Sequence, residues 1–190
     1  MKSLKYIIVL GIVTGVTFSS CEDWLDENPK YSVDNTVICE SEETAKQALD
    51  ACYGYLTTQD CFGQGVYEMS VGSSRLSWSQ TNGSEPDRYA SLNATTAGDA
   101  VLWAWRGLYK AIQECNTFIV NMNNGSLSED LKENYTAQAS FIRGLCYYYL
   151  SMMWGDVPLR IEPSAHDAIS EPKSSFIDVV GQIFIDWKYA

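Results

Sequence analysis

Two long stretches of helical periodicity, separated by a short turn, constrain the fold of this 190-residue chain more than any other feature. In the first, apolar residues recur every three or four positions from Asp99, the predicted cap, to the Asn-Asn-Gly turn at 123–125. In the second, the same spacing runs from Ser128 to about Trp154, where Gly155 and a nearby proline end it. Two long helices joined by so short a turn are predicted to form an antiparallel hairpin.

The side chains that repeat along these helices define their predicted faces. One face of the first helix carries Leu102, Trp105, Leu108, Tyr109, Ile112, Cys115 and Ile119. One side of the second carries Leu131, Tyr135, Gln138, Ile142, Leu145, Tyr149 and Met152, with Phe141 and Tyr148 beside them. Aromatic residues at helical spacing usually pack in a core or between helices, and this is our interpretation of Trp103, Trp105, Tyr109, Tyr147, Tyr148, Tyr149 and Trp154.

Two shorter helices are predicted outside this hairpin. Ser41, followed by two glutamates, predicts the start of a helix over about residues 42–58. An amphipathic pattern predicts another helix over residues 174–187. Residues 57–98 are rich in Gly, Ser, Thr, Asn and Asp without a sustained period, which predicts a long loop region with room for short helical or strand pieces. The expected fold class is all-α, with tetratricopeptide-like helix hairpins and one long irregular loop region.

The N-terminus has the features of a lipoprotein signal peptide. Two lysines precede a thirteen-residue uncharged run, Tyr6–Phe18, which is shorter than the roughly 20 apolar residues that span a bilayer. Small residues stand directly before Cys21, so residues 1–20 are predicted to be cleaved and Cys21 to carry palmitate-type acyl chains as an anchor. The alternative is an ordinary cleaved signal followed by a coincidental cysteine. Residues 21–40 form the predicted acidic tether.

Composition excludes several classes of function. Loss of the signal would leave 11 basic residues against 24 acidic ones, a net charge of −13, which repels phosphate backbones and excludes nucleic acid as a partner. The five cysteines after Cys21 are an odd number, expected as buried or unpaired thiols with at most one disulfide of unassigned pairing; they are Cys39, Cys52, Cys61, Cys115 and Cys146. There is no Cys-x-x-Cys motif and His166 is the one histidine, so neither a metal nor another cofactor is predicted. No convincing catalytic carboxylate pair or Cys–His pair is found.

Four motifs carry a family resemblance. They are ASFIRGLCYYYL at 139–150, WGDVPL at 154–159, CEDWLD at 21–26, and the spacing Trp105…Tyr109…Ile112…Asn116. In these motifs and in their order along the chain, the protein resembles the SusD/RagB-type surface lipoproteins of Bacteroidetes. The resemblance implies a lipid-anchored protein of the cell outer membrane, facing the cell exterior. Such a protein binds oligosaccharides or other nutrients and delivers them to a TonB-dependent, SusC-like transporter, without catalysis of its own.

The resemblance also implies a domain organisation. Residues 41–190 correspond to the N-terminal helical region of family members, which are much longer, so the chain is interpreted as truncated. Two other interpretations stay open. One is a non-functional or docking-only fragment, and the less favoured one is a surface glycoside hydrolase built on helices.

One stretch of the long loop region has the composition of a sugar-binding site. Flat aromatic faces pack against the apolar side of a sugar, while amide and charged groups bond to its hydroxyls. Loops on a rigid scaffold commonly carry such residues. The candidate ligand-binding residues are Arg75, Trp78, Asn82, Asp87, Arg88 and Tyr89. The alternative, which we favour for two of them, is that Trp78 and Tyr89 pack the loop onto the helices.

Overall fold

The structure is a computed structural model, and it describes residues 39–74, 89, 91, 93, 95, 98–164 and 171–190. Within these residues the chain forms five α-helices: α1 (Glu42–Leu56), α2 (Gly65–Ser73), α3 (Asp99–Asn124), α4 (Glu129–Trp154) and α5 (Phe176–Tyr189). An irregular helical turn at Gln59–Gly63 joins α1 to α2. The described residues contain no strand beyond an isolated bridge between Val157 and Ser174, so the predicted all-α class is confirmed.

The predicted hairpin forms the centre of the fold. Helices α3 and α4 are each 26 residues long, about 39 Å, and only residues 125–128 connect them, so they pack side by side in opposite directions. Helix α1 packs mainly on α3, and α5 packs on α4. No helix within the described ranges is both long enough and apolar enough to span a membrane.

The helix ends follow the local capping signals closely. The Ser41 hydroxyl accepts a hydrogen bond from the Thr44 amide at 3.3 Å and begins α1 as predicted. Helix α5 begins slightly later than predicted, where the Ser175 hydroxyl accepts a bond from the Asp178 amide at 3.2 Å. The predicted cap of α3 is wrong by one position: Gly98 is the cap and Asp99 is the first helical residue. An acidic side chain in that first turn still interacts favourably with the helix dipole.

The predicted helix faces need correction. Leu102 of α3 is 43% exposed and Met152 of α4 is 63% exposed, although both were predicted to share the apolar face of their helix. The fully or nearly fully buried positions of α4 include Ala139, Ser140 and Gly144 instead. Because α4 has α3 and α5 as neighbours, small residues lie where backbones approach closely, and several large side chains lie at the flanks.

The cysteines after Cys21 are all free thiols buried in the core, so none of these five forms a disulfide. They are Cys39, Cys52, Cys61, Cys115 and Cys146. Burial raises the pKa of Cys61 to about 11, and a hydrogen bond with Cys52 together with burial raises the pKa of Cys115. Protonated, buried thiols are poor nucleophiles and poor metal ligands at neutral pH. Their role is therefore packing.

The predicted loop region of residues 57–98 contains more regular structure than its composition suggests. The irregular turn and α2 occupy most of residues 59–73, and Val66 and Cys61 bury their side chains completely. These are the short helical pieces for which the sequence leaves room. Residues 75–88 lie outside the described part of the chain.

Candidate functional site

The segment after α4, residues 155–164, is a strap that crosses the helix hairpin. Gly155 has a φ of 73°, a left-handed conformation that ends α4 and that a glycine adopts without strain. The Asp156 carboxylate accepts a hydrogen bond from the Phe176 amide at 2.8 Å, and the Val157 carbonyl accepts one from the Ser174 amide at 3.0 Å. The WGDVP motif ends α4, as its sequence predicts, and its bonds to Ser174 and Phe176 also fix the start of α5.

Side chains of α3 and α4 hold the strap through its backbone. The Tyr147 hydroxyl donates to the Arg160 carbonyl at 2.8 Å and accepts from the Arg160 amide at 2.6 Å. The Asn116 amide donates to the carbonyls of Arg160 and Glu162, both at 3.1 Å, and the Tyr109 hydroxyl donates to the Pro158 carbonyl at 2.7 Å. Burial raises the pKa of both tyrosines, so their hydroxyls remain neutral donors at physiological pH.

A buried arginine connects the strap to α5. Arg143 of α4 forms a two-pronged ion pair with Asp186, with Nε–Oδ2 and Nη2–Oδ1 distances of 3.0 and 2.6 Å. Its Nη1 donates to the Asn116 side-chain oxygen at 2.9 Å and to the Ile161 carbonyl at 3.3 Å. The side chains of the pair are only 10% and 2% exposed. One guanidinium therefore positions both the strap and α5 on the hairpin.

A cavity of about 520 Å³ lies between α3 and the strap, and we call it the strap cavity. It is lined by Trp105, Arg106, Tyr109, Lys110, Ile112, Gln113, Glu114, Pro158, Arg160 and Ser164. The ring centroids of Trp105 and Tyr109 are 4.8 Å apart, and the Arg160 guanidinium lies 5.5 Å from the Tyr109 ring centroid. The cavity thus combines aromatic surface with three cationic side chains.

A second concavity of about 760 Å³ lies among α1, α4 and α5, and we call it the aromatic groove. It is lined by Tyr53, Glu133, Asn134, Ala137, Gln138, Phe141, Trp187, Tyr189 and Ala190. Its four aromatic side chains are unusually accessible, with exposed fractions of 40% for Tyr53, 46% for Phe141, 37% for Trp187 and 50% for Tyr189. Large aromatic side chains that converge on one concave surface without being buried are typical of ligand sites.

The groove also contains oriented polar groups. The Tyr53 hydroxyl donates to the Gln138 side-chain oxygen at 3.2 Å, and the Gln138 amide nitrogen donates to the Asn134 side-chain oxygen at 2.7 Å. Both N–H groups of the Asn134 amide and one of Gln138 are left without an acceptor among the described residues. These N–H groups are available to a ligand hydroxyl.

The position of Trp187 depends on the absence of a side chain on α4. A Cβ atom added to Gly144 would lie 2.7 Å from the Trp187 Nε1 atom, closer than real Cβ contacts. The indole therefore lies directly on the α4 backbone, with the Phe141 and Tyr148 rings 6.3 and 6.0 Å away between centroids. A ring seated in this way is held in one position by its packing.

The structure places one of the predicted ligand-binding residues. Tyr89 is buried, 4% exposed, and its side chain packs against Gly72 of α2. This environment fits the alternative in which Tyr89 packs the loop onto the helices, and its contact with a ligand stays a prediction. Arg75, Trp78, Asn82, Asp87 and Arg88 lie outside the described residues, as do the predicted lipidation site Cys21 and His166.

Sequence reasoning missed the aromatic groove. The sequence predicts that Phe141 and Trp187 lie on helices, and aromatic residues at helical spacing are interpreted by default as packing residues. Periodicity identifies the faces of a helix, but it does not show which face is left without a neighbouring helix. Within the described ranges, no cluster of three or more His, Cys, Asp or Glu side chains is arranged to hold a metal ion.

Comparison with known proteins agrees with this architecture. A SusD-like protein of Formosa agariphila is 30% identical over 153 residues, which cover 76% of this chain and 29% of that protein. A solved SusD homolog from Bacteroides thetaiotaomicron superposes with a TM-score of 0.71 at 21% identity, over 83% of this chain and 31% of that one. A solved structure described with a xylogluco-oligosaccharide gives a TM-score of 0.61 at 22% identity, over 75% and 29%. Both structures establish the fold.

The chain spans less than a third of the length of these three proteins. A family model nevertheless matches nearly all of it: residues 23–190 fit the SusD-like model described as starch-binding and associating with the outer membrane. The match includes the hairpin, the strap and α5. The protein therefore belongs to the SusD-like family.

Proposed function

We propose that this protein binds oligosaccharides at the outer membrane and delivers them to a TonB-dependent, SusC-like transporter, without catalysing a reaction on them. The observation that carries the proposal is the aromatic groove, where four accessible aromatic rings converge beside amide groups. The family description and the neighbouring structure with a xylogluco-oligosaccharide support the same ligand class.

The groove has the two kinds of surface that a pyranose needs. The apolar C–H face of a sugar ring packs against an aromatic face, and the Trp187 indole offers such a face beside Phe141. The hydroxyls at the ring edge need donors in fixed positions, and the Asn134 and Gln138 amides supply them. The volume of about 760 Å³ lies within the range of about 300–1,000 Å³ that is usual for ligand pockets.

The acidic residues of the groove support binding without hydrolysis. Glycoside hydrolysis needs two carboxyl groups about 5–10 Å apart across the bond that is cleaved. Glu133 is the one carboxylate side chain among the described residues that line the groove. A single carboxylate accepts hydrogen bonds from sugar hydroxyls but does not supply an acid–base pair.

Affinity electrophoresis through gels that contain starch or xyloglucan tests the ligand class. The full chain is kept in a detergent whose headgroup carries no sugar, because glucoside detergents would compete for the groove. We expect retardation in at least one of the gels, and we expect Trp187→Ala to remove most of it. Phe184→Ala is the matched control, since Phe184 lies on the same helix, is 67% exposed and does not line the groove.

Three results would contradict the proposal. Equal retardation of the wild type and Trp187→Ala would show that the polysaccharide does not bind in the groove. Release of reducing sugar by the purified chain would replace the binding protein with a glycoside hydrolase. Co-purification of a large barrel transporter without retention on any polysaccharide would favour the docking-only alternative.

The anchor and the domain organisation are part of the proposal. Residues 1–20 act as the signal peptide, Cys21 carries the lipid, residues 21–40 form the tether and residues 41–190 the helical region. Metabolic labelling with an alkyne fatty acid should mark the wild type and leave Cys21→Ala unlabelled. Labelling of the variant at wild-type levels would contradict the assignment of Cys21.

The loop residues remain proposed ligand contacts in addition to those of the groove. They are Arg75, Trp78, Asn82, Asp87, Arg88 and Tyr89. We expect Trp78→Ala to weaken retardation in the same gels. An unchanged mobility for this variant, with the Trp187→Ala effect intact, would restrict the ligand site to the groove.

A further inference from the structure

We infer that the strap cavity is a second saccharide site, which binds the anionic group of an acidic oligosaccharide, a carboxylate or a sulfate ester. This inference rests on the proposed function in one respect, because it takes a saccharide as the class of ligand. The juxtaposition that carries it is a set of three cationic side chains beside two packed aromatic rings in one cavity.

The cavity gathers cationic side chains in a chain whose net charge is −11. The described residues include eight lysines and arginines: Lys46, Arg106, Lys110, Lys132, Arg143, Arg160, Lys173 and Lys188. Arg106, Lys110 and Arg160 line this single cavity. Because the negative charge of the rest of the protein repels anions, such a concentration marks the place where an anionic ligand can be held.

Two of the cavity's cations are already paired with carboxylates. Lys110 pairs with Asp60 at 3.2 Å, and Arg160 pairs with Glu171 at 2.7 Å, both in partly exposed positions where an ion pair contributes little. The Lys110 side chain is 59% exposed, so a ligand anion can share this cation with Asp60.

Arg106 is the principal anchor that we assign to the ligand. It forms no ion pair or hydrogen bond with any described residue, and its planar guanidinium matches a carboxylate or sulfate with two parallel bonds. Glu114 is the one carboxylate side chain that lines the cavity within the described ranges. Its negative charge lies beside the Tyr55 hydroxyl of α1 and raises the pKa of Tyr55.

The remaining surface of the cavity fits a sugar ring. Trp105 and Tyr109 form an aromatic wall, with the Tyr109 hydroxyl already bonded to the Pro158 carbonyl. The Gln113 side-chain oxygen accepts bonds from the Ser164 amide and hydroxyl at 3.0 Å each. The two N–H groups of the Gln113 amide form no hydrogen bond with any described residue. They are donors for ligand hydroxyls.

The two sites are separate in composition. Among the described residues that line the aromatic groove, Glu133 is the one acidic or basic side chain, and it is acidic. An acidic sugar is therefore disfavoured in the groove and favoured in the strap cavity. A polysaccharide that contains neutral and acidic residues could contact both sites.

Isothermal titration calorimetry of the full chain tests the inference with three probes: a xyloglucan oligosaccharide, trigalacturonate, and a sulfated galactose trisaccharide. We expect Arg106→Gln together with Lys110→Gln to weaken binding of at least one acidic probe roughly tenfold or more, and to leave the neutral probe unchanged. Comparison of the two acidic probes shows which anionic group is preferred. Raising the salt concentration should weaken acidic binding alone.

Lys46→Gln is the matched control, since it removes one exposed cation of α1 that does not line the cavity. Acidic binding that is unaffected by the Arg106 and Lys110 substitutions would overturn the inference. So would binding of the neutral probe alone, which leaves the proposed function intact. If the wild type binds none of the three probes, the inference is wrong, and retardation in the starch and xyloglucan gels then decides the proposed function separately.

Discussion

The aromatic groove and the strap cavity are built in different ways from the same helix hairpin. The groove consists of side chains on three helices, with accessible rings, amides and one carboxylate. The cavity lies between one helix and the strap, and it carries three cations beside paired rings. Both depend on the buried Arg143–Asp186 pair, because α5 carries Trp187 of the groove and the strap carries Arg160 of the cavity. The chemistry of each site is therefore local, while its position is shared.

Removal of Arg143 should damage both regions at once. Breaking a buried ion pair by deleting one partner costs about 3–5 kcal/mol, so Arg143→Ala should lower the free energy of unfolding in urea by that amount. Ligand binding at both sites should be lost with it. The double variant Arg143→Met with Asp186→Leu, which replaces the pair by apolar side chains, should recover much of the stability. Equal stability of the single variant and the wild type would show that the pair does not hold the strap and α5.

Asn116→Ala should separate the two regions. The substitution removes two bonds to strap carbonyls and one from Arg143, and unsatisfied buried groups of this kind cost about 1–3 kcal/mol. We expect faster proteolysis within residues 155–164 and loss of binding to the acidic probe, with retention of the neutral one. Thr117→Ala is the control, because the Thr117 hydroxyl bonds only within its own helix. Parallel loss of both ligands would mean that the groove also depends on the strap.

Gly144→Ala should affect the groove and spare the cavity. The added methyl group would lie 2.7 Å from the Trp187 indole nitrogen, and overpacking of this kind costs about 1–3 kcal/mol. The indole has to move away from α4, so retardation in the neutral polysaccharide gels should decrease. Gly181→Ala on α5 is matched to it: nothing lies within 4 Å of the added carbon, and the helix should gain about 0.5–1 kcal/mol. If Gly144→Ala migrates like the wild type in these gels, ligand binding does not depend on the position of the Trp187 indole.

Alkaline pH should lower the free energy of unfolding through the Cys61 thiol, which lies near the strap cavity, and this is the smallest effect that we expect. Cys61 lies beside Asp60, the partner of the cavity residue Lys110, and burial raises the pKa of its thiol from 9.0 to about 11. Below pH 9 the thiol is protonated in both the folded and the unfolded chain. Between about pH 9 and 11 only the unfolded chain loses the proton, so the free energy of unfolding should fall as the pH rises. Urea midpoints measured from pH 8 to 11 should fall less steeply for Cys61→Ala, and parallel curves for the two proteins would contradict this role.

The local parts of the fold were predictable from the sequence, and the surfaces were much less so. Ser41 and Gly155 mark helix ends through short-range chemistry, which a pattern of neighbouring residues contains. The face assignments of Leu102 and Met152 were wrong because burial depends on which helices are neighbours. The groove brings Tyr53 of α1 beside Trp187 of α5, and the close approach of Trp187 to Gly144 is a tertiary contact without a local signal. The loop residues Arg75 to Arg88 stay a prediction.

The centre of the strap, residues 160–162, is hydrogen-bonded to α3 and α4 through its peptide groups. Tyr147, Asn116 and Arg143 bond to the backbone of residues 160–162, while Ile161 is 48% exposed and Glu162 is exposed. Substitutions at those positions therefore leave the path of the chain intact, since peptide groups are common to every amino acid except for the missing N–H of proline. Single substitutions at Ile161 or Glu162 should therefore change the outer surface of the strap without requiring a compensating change in the helices beneath it.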